Sequence, residues 1–356
     1  MNLTYASIKV TGYQLDWCMN ILSWLILSIS ALFTCQAWSG IEIEGAGSSL
    51  SGKLMASLGQ EYQLKHDTLI SYKPLGSGEG IRLLTSRVND FALTDVAMTR
   101  YETELLGLVQ FPLFYSAITP IVNLPGIESG QLVLDGQTLA SMFLGDIKRW
   151  NDASIARLNP SLNLPDSPIT VVTRADSSGT SYIFTGYLSN HSKKWRDTLG
   201  KGSKLLWTTG KSVEGTTKVI QSVKDTVGAI GYVELGAALR AQLATVNLKV
   251  SDTVQAPNLQ NIEQASQHFT WRQGSLYSFA PTEQSIPMWP MVGVTYGLIP
   301  KTNSQELEGR ETISFFNWIV SNKSATFEDS MMIQIQNHVL VDQIKKKLSD
   351  LNRSKK

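Results

Sequence analysis

From Ile41 onward, short apolar runs alternate with amphipathic stretches, and glycine or serine marks most changeovers. Ile41-Glu42-Ile43-Glu44 alternates at the period of a strand, and Gly45-Ala46-Gly47-Ser48-Ser49 turns the chain. Leu54, Leu58 and Tyr62 recur at helical spacing, predicting a helix from about Leu50 to Leu64. Ile70-Ser71-Tyr72 predicts a second strand, Gly76-Ser77-Gly78-Glu79-Gly80 a second turn, and Ile81 to Val88 a second helix. Phe91-Ala92-Leu93-Thr94 predicts a third strand that ends at Asp95. Phe111-Pro112-Leu113-Phe114 and the apolar run Ile118 to Leu124 predict a crossing between two lobes, with Ile286 to Leu298 as the return. Ile169 to Thr173 reads as a strand that runs into an apolar helix through Tyr182, Ile183 and Phe184. Gly228 to Val233 reads as a buried strand, and Asn258 to Gly274 as polar loop with Trp271 packed inward. The last helix pattern, Thr312 to Asn322, turns Ile313, Phe316 and Ile319 inward, with Phe315 flanking that face. Strands alternating with helices define an α/β fold.

The chain has 356 residues, enough for two lobes and a large core. Only 17% of residues are charged and the net charge is +1, which lacks the basic excess of a nucleic-acid binder. Lys345, Lys346, Lys347, Arg353, Lys355 and Lys356 read as a solvated helix end and tail. Ahead of the alternating region, Ile21 to Phe33 is largely apolar, too short for a membrane span and matched to the core of a secretory signal. Small residues at Cys35 and Ala37 place cleavage after Ala37, so that residues 1–37 are a signal peptide. An uncleaved anchor and a lipid attached at Cys35 are the alternatives. Both cysteines, Cys18 and Cys35, fall in this leader, so the mature chain has no disulfide and no Cys-ligated metal site.

Three predicted strand ends in the first hundred residues carry Ser49, Ser77 and Asp95. A fourth carries Arg174-Ala175-Asp176-Ser177-Ser178-Gly179-Thr180. Ligands of open α/β sheets bind beyond such ends. A helix that opens at Ser-Gly-Thr presents free N–H groups to an anion, and Arg174 adds a planar fork suited to oxyanions. Taken alone, Ser-Gly-Thr also reads as an ordinary helix cap, and Asp95 as the cap of the next helix. Gly76 to Gly80 fits no nucleotide fingerprint, and Gly210-Lys211-Ser212 lacks the upstream glycine of a P-loop. The histidines, His66, His191, His268 and His338, lie outside these motifs, leaving no evident base or metal cluster. The residues therefore recognise an anion without an obvious means of transforming it. A carboxylate such as Asp95 repels an anion unless that anion still carries a proton. Hydrogen phosphate does and sulfate does not, so Asp95 sets a preference between them.

In this order the motifs resemble the periplasmic phosphate-binding proteins of bacterial phosphate-specific ABC transporters. The likeness rests on Gly45 to Ser49, Gly76-Ser77-Gly78, Asp90 to Asp95, Gln110-Phe111-Pro112, Leu132 to Gly136, Leu144 to Asp152, the Arg174 motif and Gly228 to Glu234. It runs from about Ile43 to Leu298 and more faintly to Asn322. The resemblance implies a two-lobed type II periplasmic-binding-protein fold, each lobe a mixed sheet flanked by helices. Lobe 1 is expected to take residues 40–114 and 286–356, and lobe 2 residues 115–285. Phosphate would be held by the hydroxyls and N–H groups of Ser49 and Ser77, the N–H of Leu50, the Asp95 carboxylate, Arg174 fixed by Asp176, and Ser178, Gly179 and Thr180. The family often has Thr and Phe where Ser49 and Leu50 stand; Ser49 keeps the hydroxyl, and only the N–H of Leu50 is needed. Glu79 replaces a small residue and is expected to face solvent. The function implied is high-affinity capture of inorganic phosphate in the periplasm, by a monomer without cofactor, and delivery to a membrane permease. Rival readings are an exported phosphoester hydrolase with the same cradle and a surface interaction protein that retains the fold.

Overall fold

The computed structural model describes residues 40–271, 276, 278–279, 288–301 and 306–353. The apolar run Ile21–Phe33 and both cysteines lie outside the described residues. Among the described residues no helix is long and apolar enough to cross a membrane.

Eight strands carry the architecture: β1 Ile41–Gly47, β2 Thr68–Lys73, β3 Phe91–Thr94, β4 Leu108–Asn123, β5 Thr170–Arg174, β6 Lys211–Val213, β7 Ala229–Glu234 and β8 Val292–Pro300. They run side by side in the order β2-β1-β3-β8-β4-β7-β5-β6. β1 is parallel to β2 and to β3, while β8 is antiparallel to β3 and β4. β5 is parallel to β6 and β7.

β4 is the unusual element. It is 16 residues long and nearly all of it is buried. Its first part, Leu108–Ala117, pairs with β8, and from Ile118 to Asn123 it pairs with β7. The change of partner falls between Ala117 and Ile118, where Ile118 N–H bonds Met291 O at 2.8 Å and Trp289 Nε1 bonds Ile118 O at 2.9 Å. One strand thus belongs to two sheets, and the motif-bearing ends of β3 and β5 are brought together beside it.

The helix Gly52–His66 buries Leu54, Leu58 and Tyr62 as the spacing requires, together with Met55 and Gly59. Leu307–Ser321 buries Ile313, Phe315, Phe316 and Ile319, and Phe316 meets the rings of Phe91 and Phe111 edge-on. The second predicted turn and helix merge into one helix, Ser77–Thr85, so Ser77 is its first residue rather than part of a loop. β1 continues to Gly47, through the first half of the predicted turn. The segment expected to be loop contains the helix Leu259–Gln267, which buries Ile262 and Ala265 and packs on β4, β8 and Ile333–Gln334. Trp271 packs on the main core as expected.

Candidate functional site

Asp95 follows β3 and is 4% exposed. Its Oδ2 accepts from Ser48 Oγ at 2.6 Å and from Ser77 Oγ at 3.4 Å, and its Oδ1 accepts from Thr295 Oγ1 at 2.6 Å. Ser77 Oγ in turn accepts the Asp95 N–H at 3.3 Å. Burial raises the pKa of this carboxyl above its ordinary value, against the opposing pull of the Ser48, Thr295 and Ser77 hydroxyls and the Arg174 charge. The result is an unusually basic, rigidly held proton acceptor.

Arg174 ends β5 and is 1% exposed, an expensive place for a cation unless it is paired. Asp176 grips it at both edges: Nε donates to Oδ1 at 2.7 Å, and Nη2 donates to Oδ2. Burial pushes the Asp176 pKa up, but the hydrogen bond and charge of Arg174 and the Gly215 N–H outweigh it, so the carboxyl sits below its usual range. Arg174 Nη2 also reaches Ser49 Oγ at 3.2 Å, and Nη1 reaches Thr216 Oγ1 at 3.4 Å. The backbone of Arg174 is fixed from behind. Trp207 Nε1 donates to its carbonyl at 3.0 Å, and its N–H reaches Tyr232 Oη at 3.4 Å. Tyr232 is stacked on Phe184 at 4.1 Å and bonded to Ser181 Oγ at 2.7 Å. The backbone that carries the guanidinium is therefore held by Trp207 and Tyr232.

The helix Gly179–His191 starts at the same place. Ser178 caps it, its Oγ accepting Ser181 N–H at 3.3 Å. Helix geometry leaves the first-turn N–H groups without intrahelical acceptors, and here they sit next to Asp95. A Cβ on Gly179 would lie 2.2 Å from Asp95 Oδ2, so only glycine lets the helix end come this close. The Thr180 hydroxyl is buried without a hydrogen-bond partner among the described residues. Across the seam, Gly76 has φ +98°, and a Cβ there would meet Ser177 O at 2.9 Å. The 76–78 turn thus rests directly on the 176–178 loop.

Of the residues singled out from the sequence, Ser49, Ser77, Asp95, Arg174, Asp176, Ser178, Gly179 and Thr180 converge on this seam, and Leu50 is buried beside Ser49. Glu79 pairs with Arg82 at 2.6 Å on the surface, away from the cradle. None of the four histidines is buried. Ser48, Thr295 and Thr216 are part of the network and were not foreseen. Ser48 stands one residue before the expected Ser49, and Thr295 is a hydroxyl inside an otherwise apolar return run, which is a readable signal. Thr216 follows a glycine at the start of the helix Gly215–Asp225 and has no signature of its own. Among the described residues no group of three or more His, Cys, Asp or Glu side chains could hold a metal. Chemically the site offers a cation, several hydroxyls and helix-end N–H groups to an oxyanion, and one basic carboxylate to a proton on it.

A family model described as a PBP superfamily domain matches residues 34–323. The phosphate-binding protein PstS of Pasteurella multocida is 35% identical over 299 residues, which is 82% of this chain and 85% of the relative. The chain belongs to the PstS family. The PstS of Xylella fastidiosa (strain Temecula1) is 34% identical over 295 residues, 81% of this chain and 80% of the relative. Among solved structures, the phosphate-binding protein of Stenotrophomonas maltophilia superposes with a TM-score of 0.61 at 18% identity, covering 86% of this chain and 94% of that one. At that identity the likeness speaks to the fold, a two-lobed type II periplasmic binding protein.

Proposed function

We propose that this protein captures hydrogen phosphate in the periplasm and delivers it to the permease of a phosphate ABC transporter. One observation carries the reading: a buried Arg174, locked by Asp176, faces a buried Asp95 across a seam lined with hydroxyls and the end of a helix. The named relatives are phosphate-binding proteins, and their chemistry matches what these groups recognise. Arg174, Ser49, Ser77, Ser178, Thr180 and the N–H groups of Leu50, Gly179 and Thr180 donate to the ligand; Asp95 accepts the ligand's proton. A carboxylate made more basic by burial is the better acceptor. The hydrolase reading has no observation in its favour, because the recorded partner of Ser178 Oγ is a helix N–H rather than a base.

The strand pairing supports a narrower second lobe than the 115–285 expected from the sequence. Lobe 2 is taken as residues 118–255, because β4 changes partner after Ala117 and the helix Leu259–Gln267 already packs on β8. The other described residues form lobe 1, and the monomer closes on its ligand. Residues 1–37 serve as the export signal, on the sequence argument above.

The test is titration calorimetry on mature protein stripped of ligand by unfolding and refolding, with phosphate and sulfate compared at neutral pH. Tight one-to-one phosphate binding with little sulfate binding is expected. Asp95→Asn should reduce the preference for phosphate over sulfate by at least about tenfold, the value of one charge-assisted hydrogen bond. An unchanged preference in that variant removes Asp95 from the selectivity mechanism.

A further inference from the structure

Ser48 and Thr295 are wholly buried, and each places a hydroxyl 2.6 Å from a different oxygen of Asp95, Ser48 at Oδ2 and Thr295 at Oδ1. Both lengths are those of an O–H donor bonded to an ionised carboxylate. Ser77 stands farther from Oδ2, at 3.4 Å, and its oxygen accepts the Asp95 N–H. Ser77 can therefore turn its proton to a ligand, whereas Ser48 and Thr295 are committed to the carboxylate.

The backbone builds this arrangement. β8 pairs with β3 through Tyr296 and Thr94, and the next step of that antiparallel register sets Thr295 opposite Asp95. On its other side β8 slips by one residue against β4 at the same point, Thr295 pairing with Phe114 and Tyr296 with Pro112. Bulges of this kind re-aim side chains beside binding sites. Ser48 follows β1 and is fixed by its own N–H to Leu93 O at 2.8 Å and by Tyr72 Oη, which donates to its carbonyl at 2.8 Å. Burial alone drives a carboxylate to take up a proton, and hydroxyls that donate to it oppose this. A protonated Asp95 would be a donor, and would accept a ligand that has no proton of its own.

We infer that Ser48 and Thr295 are specificity-determining positioning residues: one short hydrogen bond to each oxygen keeps Asp95 an acceptor, so that the cleft selects an oxyanion that still carries a proton. The inference rests on the phosphate reading above and adds the device that maintains its selectivity. Both residues act through Asp95.

Sulfate has no proton to offer at neutral or mildly acidic pH, so the pH dependence of its binding reports the state of the protein. Titration calorimetry with sulfate and phosphate, from mildly acidic to mildly alkaline pH, compares the wild type with Thr295→Val, Thr295→Ser and Ser48→Ala. In Thr295→Val and in Ser48→Ala the preference for phosphate at neutral pH should fall at least about tenfold, the value of one hydrogen bond to a charged group. Sulfate binding should also set in at a higher pH than in the wild type. Thr295→Ser keeps the donor and should restore both properties. The other ionisable groups facing Asp95 are Arg174, Tyr72 and, around the adjoining cavity, Tyr182, Tyr187, Lys201 and Tyr296. All of them are present in every protein compared, so a shift between variants isolates the hydroxyls. In an Asp95→Asn background the effect of Thr295→Val should vanish, because no carboxylate is left to hold. An unchanged preference in both single variants overturns the inference. A loss that is equal at every pH, or that persists in the Asp95→Asn background, makes the hydroxyls packing groups and overturns it too. Wild-type protein without a preference for phosphate overturns the functional reading itself, and this inference with it, before any variant is compared.

Discussion

Thr180 separates a binding role from a structural one more sharply than any other side chain here. Its hydroxyl is buried and has no hydrogen-bond partner among the described residues, a condition that costs roughly 1–3 kcal/mol. Ordinary packing gives no reason to keep it. A ligand oxygen in the seam supplies the partner. Thr180→Val keeps the shape and removes the hydroxyl, so the empty protein should be as stable as the wild type or more so. Phosphate affinity should fall by about tenfold or more, one lost hydrogen bond to a charged acceptor. Melting temperature without ligand and calorimetry with phosphate measure the two effects. A loss of stability with affinity intact would make Thr180 a packing residue. Ser48 shows the other side of residue-scale reading. The sequence places two adjacent serines after Gly47, and only the fold decides that Ser48 turns to Asp95 while Ser49 turns to Arg174.

At the scale of the element, the helix Gly179–His191 depends on having no side chain at its first position. Gly179 does not adopt the left-handed backbone, so alanine there is limited by space alone, and its Cβ would meet the Asp95 carboxylate at 2.2 Å. Gly179→Ala should push the helix end off Asp95 and lower phosphate affinity by about 10- to 100-fold, as expected for losing one helix-end hydrogen bond to an anion. Calorimetry reads the affinity, and an unchanged circular dichroism spectrum checks the fold. An affinity within twofold of the wild type would mean that the helix end does not touch the ligand. This helix was legible because Arg174 to Thr180 packs charge, hydroxyls and glycine between an apolar strand and an apolar helix. Strand ends at Asp95 and Arg174 were legible for the same reason: the pattern changes abruptly from apolar to polar. The helix Leu259–Gln267 was not, since only Ile262 and Ala265 are buried among polar neighbours and the apolar stripe is too thin to register. The start of Ser77–Thr85 was hidden by three glycines that read as turn; tertiary contact with the 176–178 loop holds Gly76 at its positive φ and lets the helix begin at once.

For the whole molecule, the point where β4 changes partner, between Ala117 and Ile118, joins the two halves of the strand order. Glu234 sits at that point. Its backbone is paired with Ile118, the first residue after the change of partner, and its side chain is 2% exposed. The carboxylate caps the helix Leu235–Arg240, accepting Gly236 N–H at 2.6 Å and Ala237 N–H at 2.8 Å, with Arg240 Nη2 at 3.5 Å. The cap packs tightly against the turn at Ser330, since a Cβ on Gly236 would lie 2.7 Å from Ser330 O. Burial raises the Glu234 pKa from 4.5 to about 7, despite the Arg240 charge and the two N–H groups. The folded protein therefore holds a proton here that the unfolded chain has released. This contribution to stability is fully present below about pH 4.5 and is lost as pH rises through about 7. The full span corresponds to roughly 3 kcal/mol as an upper bound. Glu234→Gln is uncharged at every pH and lacks the effect, so the stability of the variant relative to the wild type should improve steadily as pH rises across that window. Denaturant unfolding of both proteins at several pH values, with phosphate absent, gives the difference directly. A difference that stays flat with pH would show that Glu234 is ionised in the folded state throughout that window, and that the junction beside Ile118 is held by a charge rather than by a proton.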